Sequence, residues 1–242
     1  ADGHFSRGLN DSTPDASSLA VIDPFDLLDI ADPAQREEGR SAVRKIADRL
    51  GRSDPKHPGL GLVRYPDDQY RGRENRWIIC TLWVARAALR LAEGFIESLA
   101  LDEASALIKE AKACLDWCRA HATATGLLPE QVYGGDGEPA WVVPLGWSLS
   151  SFIYTCHRVE AVEARYREAR ELGPVIRYRG QLAPEEYAVL ALLHREGPMP
   201  GAEISRQASL PYSQVFPLLH RLVEQGLVEG ESGGQKLYRS KV

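Results

Sequence analysis

Apolar residues recur at helical spacing through most of the first 172 residues, and no run there alternates with period two. The segment from Trp77 to Leu91 is apolar on nearly every side, which is typical of a helix buried between neighbours. Helices are expected over about Ala34–Leu50, Trp77–Leu91 and Asp102–Ala122, and from Trp147 onward. The pattern therefore predicts a first domain, residues 1–172, that is built from helices alone.

The pattern changes after residues 173–182, which the composition predicts to be a linker. Helices are expected over Pro184–Glu196, Gly201–Ser209 and Tyr212–Gly226, followed by two short strands joined at Gly233 and Gly234. Three helices and a hairpin in this order resemble a winged helix-turn-helix domain, of the kind found in many archaeal and bacterial regulators. The second domain is therefore predicted at residues 183–242.

This resemblance implies a mode of DNA binding in which the third helix enters the major groove and the wing contacts phosphates. The candidate DNA-binding residues are Gln214 and Arg221 on the third helix and Lys236 and Arg239 on the wing. However, residues 183–242 carry six Lys and Arg against seven Asp and Glu, a net charge of −1. Because phosphate neutralisation supplies most non-specific affinity for DNA, a wing that docks a protein partner or a second copy stays open as the alternative.

Composition and charge exclude several classes of protein. The 242 residues are 44% hydrophobic and 26% charged, which is typical of an ordinary globular protein. The net charge of −5 gives no reason to expect bulk affinity for nucleic acid or for membrane surfaces. No apolar run approaches the roughly 20 residues of a membrane-spanning helix, so no membrane partner is expected.

The four cysteines predict buried free thiols rather than a metal site. Cys114 and Cys118 are four residues apart on one expected helix, but no second pair at zinc-site spacing accompanies them. A free cysteine packs as a small hydrophobic residue, and free thiols favour a reducing, cytoplasmic location. No metal or other cofactor is expected.

A loop from Gly126 to Ser148 carries the most suggestive chemistry of the first domain. It places the carboxylate of Glu130 ahead of two tryptophans, Trp141 and Trp147. Indole rings stack on the apolar face of a pyranose, and a carboxylate can handle a proton or a water. The residues alone leave two interpretations open, a sugar site and a solvated turn.

Four motifs follow one another in the first domain: Arg64-Tyr-Pro-Asp-Asp-Gln-Tyr70, Trp77-Ile-Ile-Cys-Thr-Leu-Trp83, Leu128-Pro-Glu-Gln-Val132 and Pro144-Leu-Gly-Trp-Ser148. In this order they resemble the C-terminal half of the catalytic domain of family 15 glycoside hydrolases, which include glucoamylase, glucodextranase and some trehalases. The resemblance runs from about Gly3 to about Thr155. It implies a mainly α fold, a partial (α/α)6 barrel of the six-hairpin type.

The resemblance also implies a site and a reaction. It makes Glu130 the catalytic base. The residues that match the family's substrate-binding positions are Arg64, Tyr65, Asp68, Trp77, Trp147 and Gln131. The implied reaction is hydrolysis of a terminal glucose from an α-glucan, an α-glucoside or trehalose, with inversion at the anomeric carbon. Without the resemblance, Arg64 and Asp68 would be interpreted as a surface ion pair.

Departures from the family open a second interpretation. The family's general acid lies in an upstream Trp-Glu motif that this sequence does not contain. Residues 71–76 are bulky and charged where the family is glycine-rich, and Leu149 replaces an aromatic residue or a histidine. A hydrolase would therefore need the missing N-terminal half of the domain, as part of a longer chain. The alternative is a non-catalytic, sugar-responsive regulator that uses the winged helix to bind DNA.

Overall fold

The computed structural model describes residues 5–53, 60–71, 74–231 and 237–242. Helices make up most of these residues, so the predicted mainly helical fold is confirmed. The chain divides into two compact units, Ala1–Tyr166 and Arg167–Val242. Among the described residues, no helix is both long and apolar enough to cross a membrane.

A buried helix forms the centre of the first unit. The helices here are α1 (Pro33–Leu50), α2 (Ile78–Glu97), α3 (Leu101–Ala120) and the greater part of α4 (Gly146–Leu172), with a 3₁₀ helix at Ala16–Val21. Helix α2 packs against α1, α3 and the 3₁₀ helix, and 16 of its 20 residues are buried. Because neighbouring elements cover α2 on most sides, its sequence is apolar nearly all the way round.

The described helices do not show the partial (α/α)6 barrel that the resemblance implies. They contain one hairpin of long helices, α2 and α3, joined by a short turn and packed on α1. No ring of hairpins is seen in the part of the chain that the structure describes. The coarser expectation, a helical first domain, is confirmed.

A small antiparallel sheet also lies in the first unit, so the expectation of no strands there is wrong. Its strands are β1 (Gly51–Ser53), β2 (Leu60–Leu62), β3 (Arg76–Trp77), β4 (Gln131–Val132) and β5 (Pro139–Ala140), paired in chain order. Strands of two or three residues are too short to produce a readable alternation of apolar and polar positions. Trp77 of β3 pairs with Leu62 on one side and with Gln131 on the other. The sheet thereby brings motifs that are far apart in the sequence side by side.

The second unit has the winged-helix order that the sequence predicts, with one strand added. Its elements are α5 (Pro184–Glu196), β6 (Met199–Pro200), α6 (Gly201–Gln207), α7 (Tyr212–Glu224), β7 (Val228–Glu231) and β8 (Leu237–Ser240). The sheet order is β6-β8-β7, all antiparallel. The predicted wing turn at Gly233 and Gly234 lies outside the described residues, as does Lys236.

The segment at 173–182, predicted to be a linker, begins with a 3₁₀ helix at Gly173–Tyr178. Val175 is fully buried and belongs to the same apolar cluster as Val189 and Leu193 of α5. The boundary between the two units lies earlier, within α4, between Tyr166 and Arg167. The core of the second unit therefore includes residues that precede the winged helix.

All four cysteines are free. Cys80, Cys114 and Cys118 are buried and Cys156 is half-buried, so the prediction of buried free thiols is confirmed for three of them. Burial raises the pKa of Cys114 to about 12, which keeps this thiol protonated and unreactive at neutral pH.

Candidate functional site

Arg64 forms the centre of a half-buried cluster in the first unit. Its guanidinium donates two hydrogen bonds to the carboxylate of Asp68, from Nε to Oδ2 at 3.0 Å and from Nη2 to Oδ1 at 2.8 Å. Asp68 is 6% exposed, and its Oδ1 also accepts the backbone N–H of Tyr70 at 2.9 Å. A bidentate pair whose carboxylate is buried and accepts a third hydrogen bond is more than the surface ion pair that the residues alone suggest.

Aromatic rings surround this guanidinium. Its central carbon lies 4.7 Å from the ring centroid of Tyr65, 5.6 Å from that of Tyr70 and 4.8 Å from that of Trp77, all within cation–π range. Nη2 also donates to the Tyr65 hydroxyl at 3.0 Å. We refer to Arg64, Tyr65, Asp68, Tyr70 and Trp77 as the Arg64 cluster. Trp77 is buried within it, whereas Tyr70 keeps an exposed face.

Two buried amides join the cluster through the sheet. Gln131 lies opposite Trp77 in the β3–β4 register, and its Oε1 accepts a hydrogen bond from Asn75 Nδ2 at 2.9 Å. Gln131 is fully buried, yet its Nε2 has no acceptor among the described residues. The amide of Gln131 therefore offers two N–H donors beside an oxygen that already accepts one hydrogen bond from Asn75.

The main chain of Glu130 is hydrogen-bonded on both sides, whereas one of its side-chain oxygens has no partner among the described residues. Its N–H donates to the carbonyl of Val142 at 2.9 Å, and its carbonyl accepts the N–H of Ile78 at 3.3 Å. Its Oε2 is buried and accepts no hydrogen bond from the residues that the structure describes. The hydroxyl oxygen of Ser148, at the start of α4, is likewise buried and has no partner in this part of the chain. Buried polar atoms without partners are costly, so these groups are suited to a polar ligand.

The two loop tryptophans remain on the surface, Trp147 at 63% exposure and Trp141 at 42%. Trp141 Nε1 donates to the carbonyl of Arg71 at 2.8 Å, and the Arg71 guanidinium lies 4.6 Å from the indole centroid. No ring contact or hydrogen bond joins Trp147 to the Arg64 cluster in the described part of the chain. The structure thus brings Arg64, Tyr65, Asp68, Trp77 and Gln131 together and leaves Trp147 apart.

Sequence reasoning missed several groups at this site. Asn75 lies in none of the four motifs, and its role appears only once β3 lies beside β4. Ser148 ended the fourth motif but was not singled out as a binding residue. Tyr70 stood in the first motif but was not singled out. The backbone N–H of Tyr70 donates a hydrogen bond to the carboxylate of Asp68, two residues earlier. This is a local turn contact that the sequence spacing could have indicated.

In the second unit, α7 presents an exposed face of mostly uncharged side chains. Its buried residues are Val215, Leu218, Leu219 and Leu222. Gln214 is exposed and lies in the first turn of the helix. Tyr212 and Phe216 are also exposed and form an edge-to-face pair, with ring centroids 5.0 Å apart and an interplanar angle of 86°.

The arginines proposed for DNA binding are engaged within the domain. Arg221 Nε donates to Oε1 of Glu186 at 2.5 Å, and this hydrogen bond lowers the pKa of Glu186, a residue of α5 that is buried. Arg239 pairs with Glu229 across the β7–β8 ladder. Two of the four candidates are therefore tied to carboxylates, whereas Gln214 makes no side-chain hydrogen bond among the described residues.

Comparison with known proteins gives a family match for the second unit. No curated protein matches the chain significantly, and neither does any solved structure. Residues 182–241 match the family model described as Sugar-specific transcriptional regulator TrmB.

This match overturns the expected hydrolase. An arginine, a carboxylate and an amide do not by themselves specify a reaction, because glycoside hydrolysis needs an acid and a base that face each other across the bond. The inverting α-glucoside hydrolase is therefore wrong as an interpretation, and no finding supports a glucoside substrate as partner. In its last sixty residues the chain is instead similar to sugar-specific transcriptional regulators.

Proposed function

We propose that the protein is a sugar-responsive, DNA-binding transcriptional regulator of the cytoplasm. The observation that carries the proposal is the position of the family match. Residues 182–241 include α5, α6, α7 and all three strands of the second sheet, so the likeness covers the whole winged helix rather than a short motif. The first unit, in this proposal, holds the sugar.

The DNA-binding role falls to α7. In helix-turn-helix domains the N-terminal residues of the recognition helix contact base edges, and Gln214 occupies such a position with an exposed side chain. Arg221 is held by Glu186 and would orient α7 on α5 rather than contact DNA. Lys236 and Arg239 flank the wing and would contact phosphates, Arg239 by leaving Glu229.

The charge of the domain limits what kind of DNA binder it is. A net charge of −1 over residues 183–242 offers little phosphate neutralisation, so affinity for random duplex should be low. Affinity for the correct operator would then come mainly from base contacts and shape. We therefore expect weak binding to random duplex DNA together with a clear preference for one sequence.

The sugar-binding role rests on the groups around β3 and β4. Sugar hydroxyls both donate and accept, so they complement the Glu130 carboxylate oxygen, the Gln131 amide N–H and the Ser148 hydroxyl, which are buried and have no hydrogen-bond partner among residues 5–53, 60–71, 74–231 and 237–242. The Arg64 and Asp68 pair adds charged partners for vicinal hydroxyls. In this proposal Glu130 binds a hydroxyl and performs no chemistry.

Aromatic planes complete the proposed sugar site. The exposed face of Tyr70, supported by Trp77 at a centroid distance of 5.5 Å, is a platform for the apolar face of a pyranose. The exposed ring of Trp147 offers a second surface near Ser148, its neighbour in the chain. Tyr65 orients Arg64 through its hydroxyl.

Two measurements on the full chain test this function. An operator is first enriched from a pool of random duplexes, and binding to it is compared with binding to a shuffled duplex by fluorescence anisotropy. Thermal unfolding is then followed with maltose, trehalose and glucose as probes. We expect a preferred duplex and a rise in melting temperature with at least one sugar.

The variant Glu130→Gln separates the two roles. Loss of a charged hydrogen bond should weaken the sugar by about 10- to 100-fold, while binding to the operator without sugar stays at the wild-type level. Gln69→Ala, an exposed residue of the same loop as Asp68, is the matched control. A protein without a preferred duplex, or one whose sugar affinity is the same in Glu130→Gln, would contradict the proposal.

A further inference from the structure

The described arginines of the winged helix are all paired inside it. Arg195, Arg206, Arg221 and Arg239 form ion pairs with Glu196, Glu203, Glu186 and Glu229 respectively. An arginine donating two hydrogen bonds to guanine is the commonest specific contact in protein–DNA complexes. For Arg221, that contact would leave the buried carboxylate of Glu186 without its partner, which is strongly unfavourable.

The exposed face of α7 offers other chemistry. Gln214 lies in the first turn, where recognition helices meet base edges. Phe216 is 43% exposed, and its edge-to-face contact with Tyr212, one turn earlier on the same flank, fixes the direction of the ring. An aromatic pair at the start of a recognition helix gives no affinity for phosphates, but it provides an apolar surface.

Each of these side chains has a complementary base edge. Glutamine donates and accepts hydrogen bonds with N7 and N6 of adenine, and phenylalanine contacts the C5-methyl group of thymine. We infer that α7 recognises A·T base pairs through neutral side chains, with Gln214 on adenine and Phe216 on a thymine methyl, and that no arginine of α7 reads guanine. The inference rests on the DNA binding proposed above and adds the identity of the bases.

Base analogues test the inference on the full chain. In the enriched operator, each thymine is replaced in turn by uracil, which removes only the methyl group, and each adenine by 7-deazaadenine, which removes only the N7 acceptor. Binding is measured for the wild type, Phe216→Ala and Gln214→Ala, with helix content checked by circular dichroism. Gln225→Ala, exposed at the end of α7, is the matched control.

We expect each base analogue to lose its effect in one of the two variants. At one or two positions uracil should weaken the wild type and the control about fivefold and leave Phe216→Ala unchanged. At one position 7-deazaadenine should weaken the wild type about tenfold and leave Gln214→Ala unchanged. Because both side chains are exposed, the variants should keep wild-type helix content.

The results that would contradict the inference differ from those that would contradict DNA binding itself. A preferred operator in which uracil weakens wild type and Phe216→Ala equally overturns the methyl contact. A preferred operator that depends on G·C pairs and is lost in Arg221→Ala overturns the whole inference but not the DNA binding. No sequence preference at all overturns both the inference and the proposed function.

Discussion

Trp77 and Gln131 lie directly opposite each other in the antiparallel pair formed by β3 and β4. The Arg64 guanidinium covers Trp77 from one side, and Asn75 orients the amide of Gln131. Two strands of two residues each thereby join the loop that carries Arg64 to the loop that carries Glu130. The proposed sugar site depends on this register.

The Arg64 and Asp68 pair should contribute measurably to folding stability. Replacing Asp68 with asparagine removes the buried charge that the half-buried guanidinium of Arg64 faces, so we expect a loss of about 1 kcal/mol in the free energy of unfolding, between the values for exposed and buried pairs. Urea denaturation measures it. Asp67→Asn is the control, because Asp67 is exposed and its φ of 56° suits asparagine. Equal stability of the two variants would contradict the importance of the pair.

Strand β2 is held close to the core by a glycine. A Cβ on Gly61 would lie 2.2 Å from the ring of Trp117, a tryptophan that is almost fully buried. Gly61→Ala should therefore destabilise the protein by about 3 kcal/mol, and the near-ultraviolet dichroism of the tryptophans should change with it. Gly135→Ala, where an added Cβ meets nothing within 4 Å, should behave as the wild type. A Gly61→Ala variant as stable as the wild type would show that β2 does not pack tightly against Trp117.

The ion pair of Glu186 and Arg221 should make stability depend on pH. The hydrogen bond from Arg221 lowers the pKa of Glu186 from its ordinary value of 4.5, so the stabilisation is present above pH 4.5 and is lost as pH falls through the lower, folded pKa. At pH 7 the wild type should exceed Glu186→Gln by about 1–2 kcal/mol, and the difference should shrink below pH 4.5. Urea midpoints across this range measure it.

Glutamine is a fair replacement at this position, because it retains the capping hydrogen bond that Glu186 accepts from the N–H of Ala183. Glu185→Gln, exposed in the same turn, controls for the change in net charge. A difference between wild type and Glu186→Gln that grows toward acid pH would exclude the pair as its source.

Weakening the contact between Arg239 and Glu229 should make the wing a stronger phosphate binder. Glu229→Gln removes one carboxylate that Arg239 pairs with, so affinity for random duplex should rise and the slope of log K against log salt should steepen by up to about 0.9. Salt titrations of anisotropy measure both. Glu185→Gln changes the net charge equally and leaves the pair of Arg239 and Glu229 in place. The same steepening in both variants would mean that net charge alone is responsible.

The long helices were predictable because amphipathic periodicity accumulates over several turns. Helix α2 is an example, since its apolar residues continue around the whole helix and its burial follows. The strands were not predictable, because β3 and β4 have two residues each and owe their existence to pairing with distant partners. Strand β6 was missed for the same reason, as Met199 and Pro200 become a strand only beside β8.

The candidate site was partly predictable. The motif around Arg64 placed a cation and a carboxylate four residues apart, and they do pair. The function was not predictable from that motif, because an arginine, a carboxylate and an amide can serve binding as well as hydrolysis. The likeness that decides between the two interpretations lies in the winged helix.

The central claim is that a sugar held by the first unit changes the affinity of α7 for its operator. Linkage requires that the sugar alter operator affinity by the same factor by which the operator alters sugar affinity. Titrating the full chain with operator at saturating and zero sugar, and with the sugar that raises the melting temperature at saturating and zero operator, measures both factors. We predict two equal factors of about 5- to 150-fold, and in Glu130→Gln the same effect of sugar on operator affinity should require about 10- to 100-fold more sugar. Operator and sugar affinities that are each unaffected by the other ligand would contradict the account.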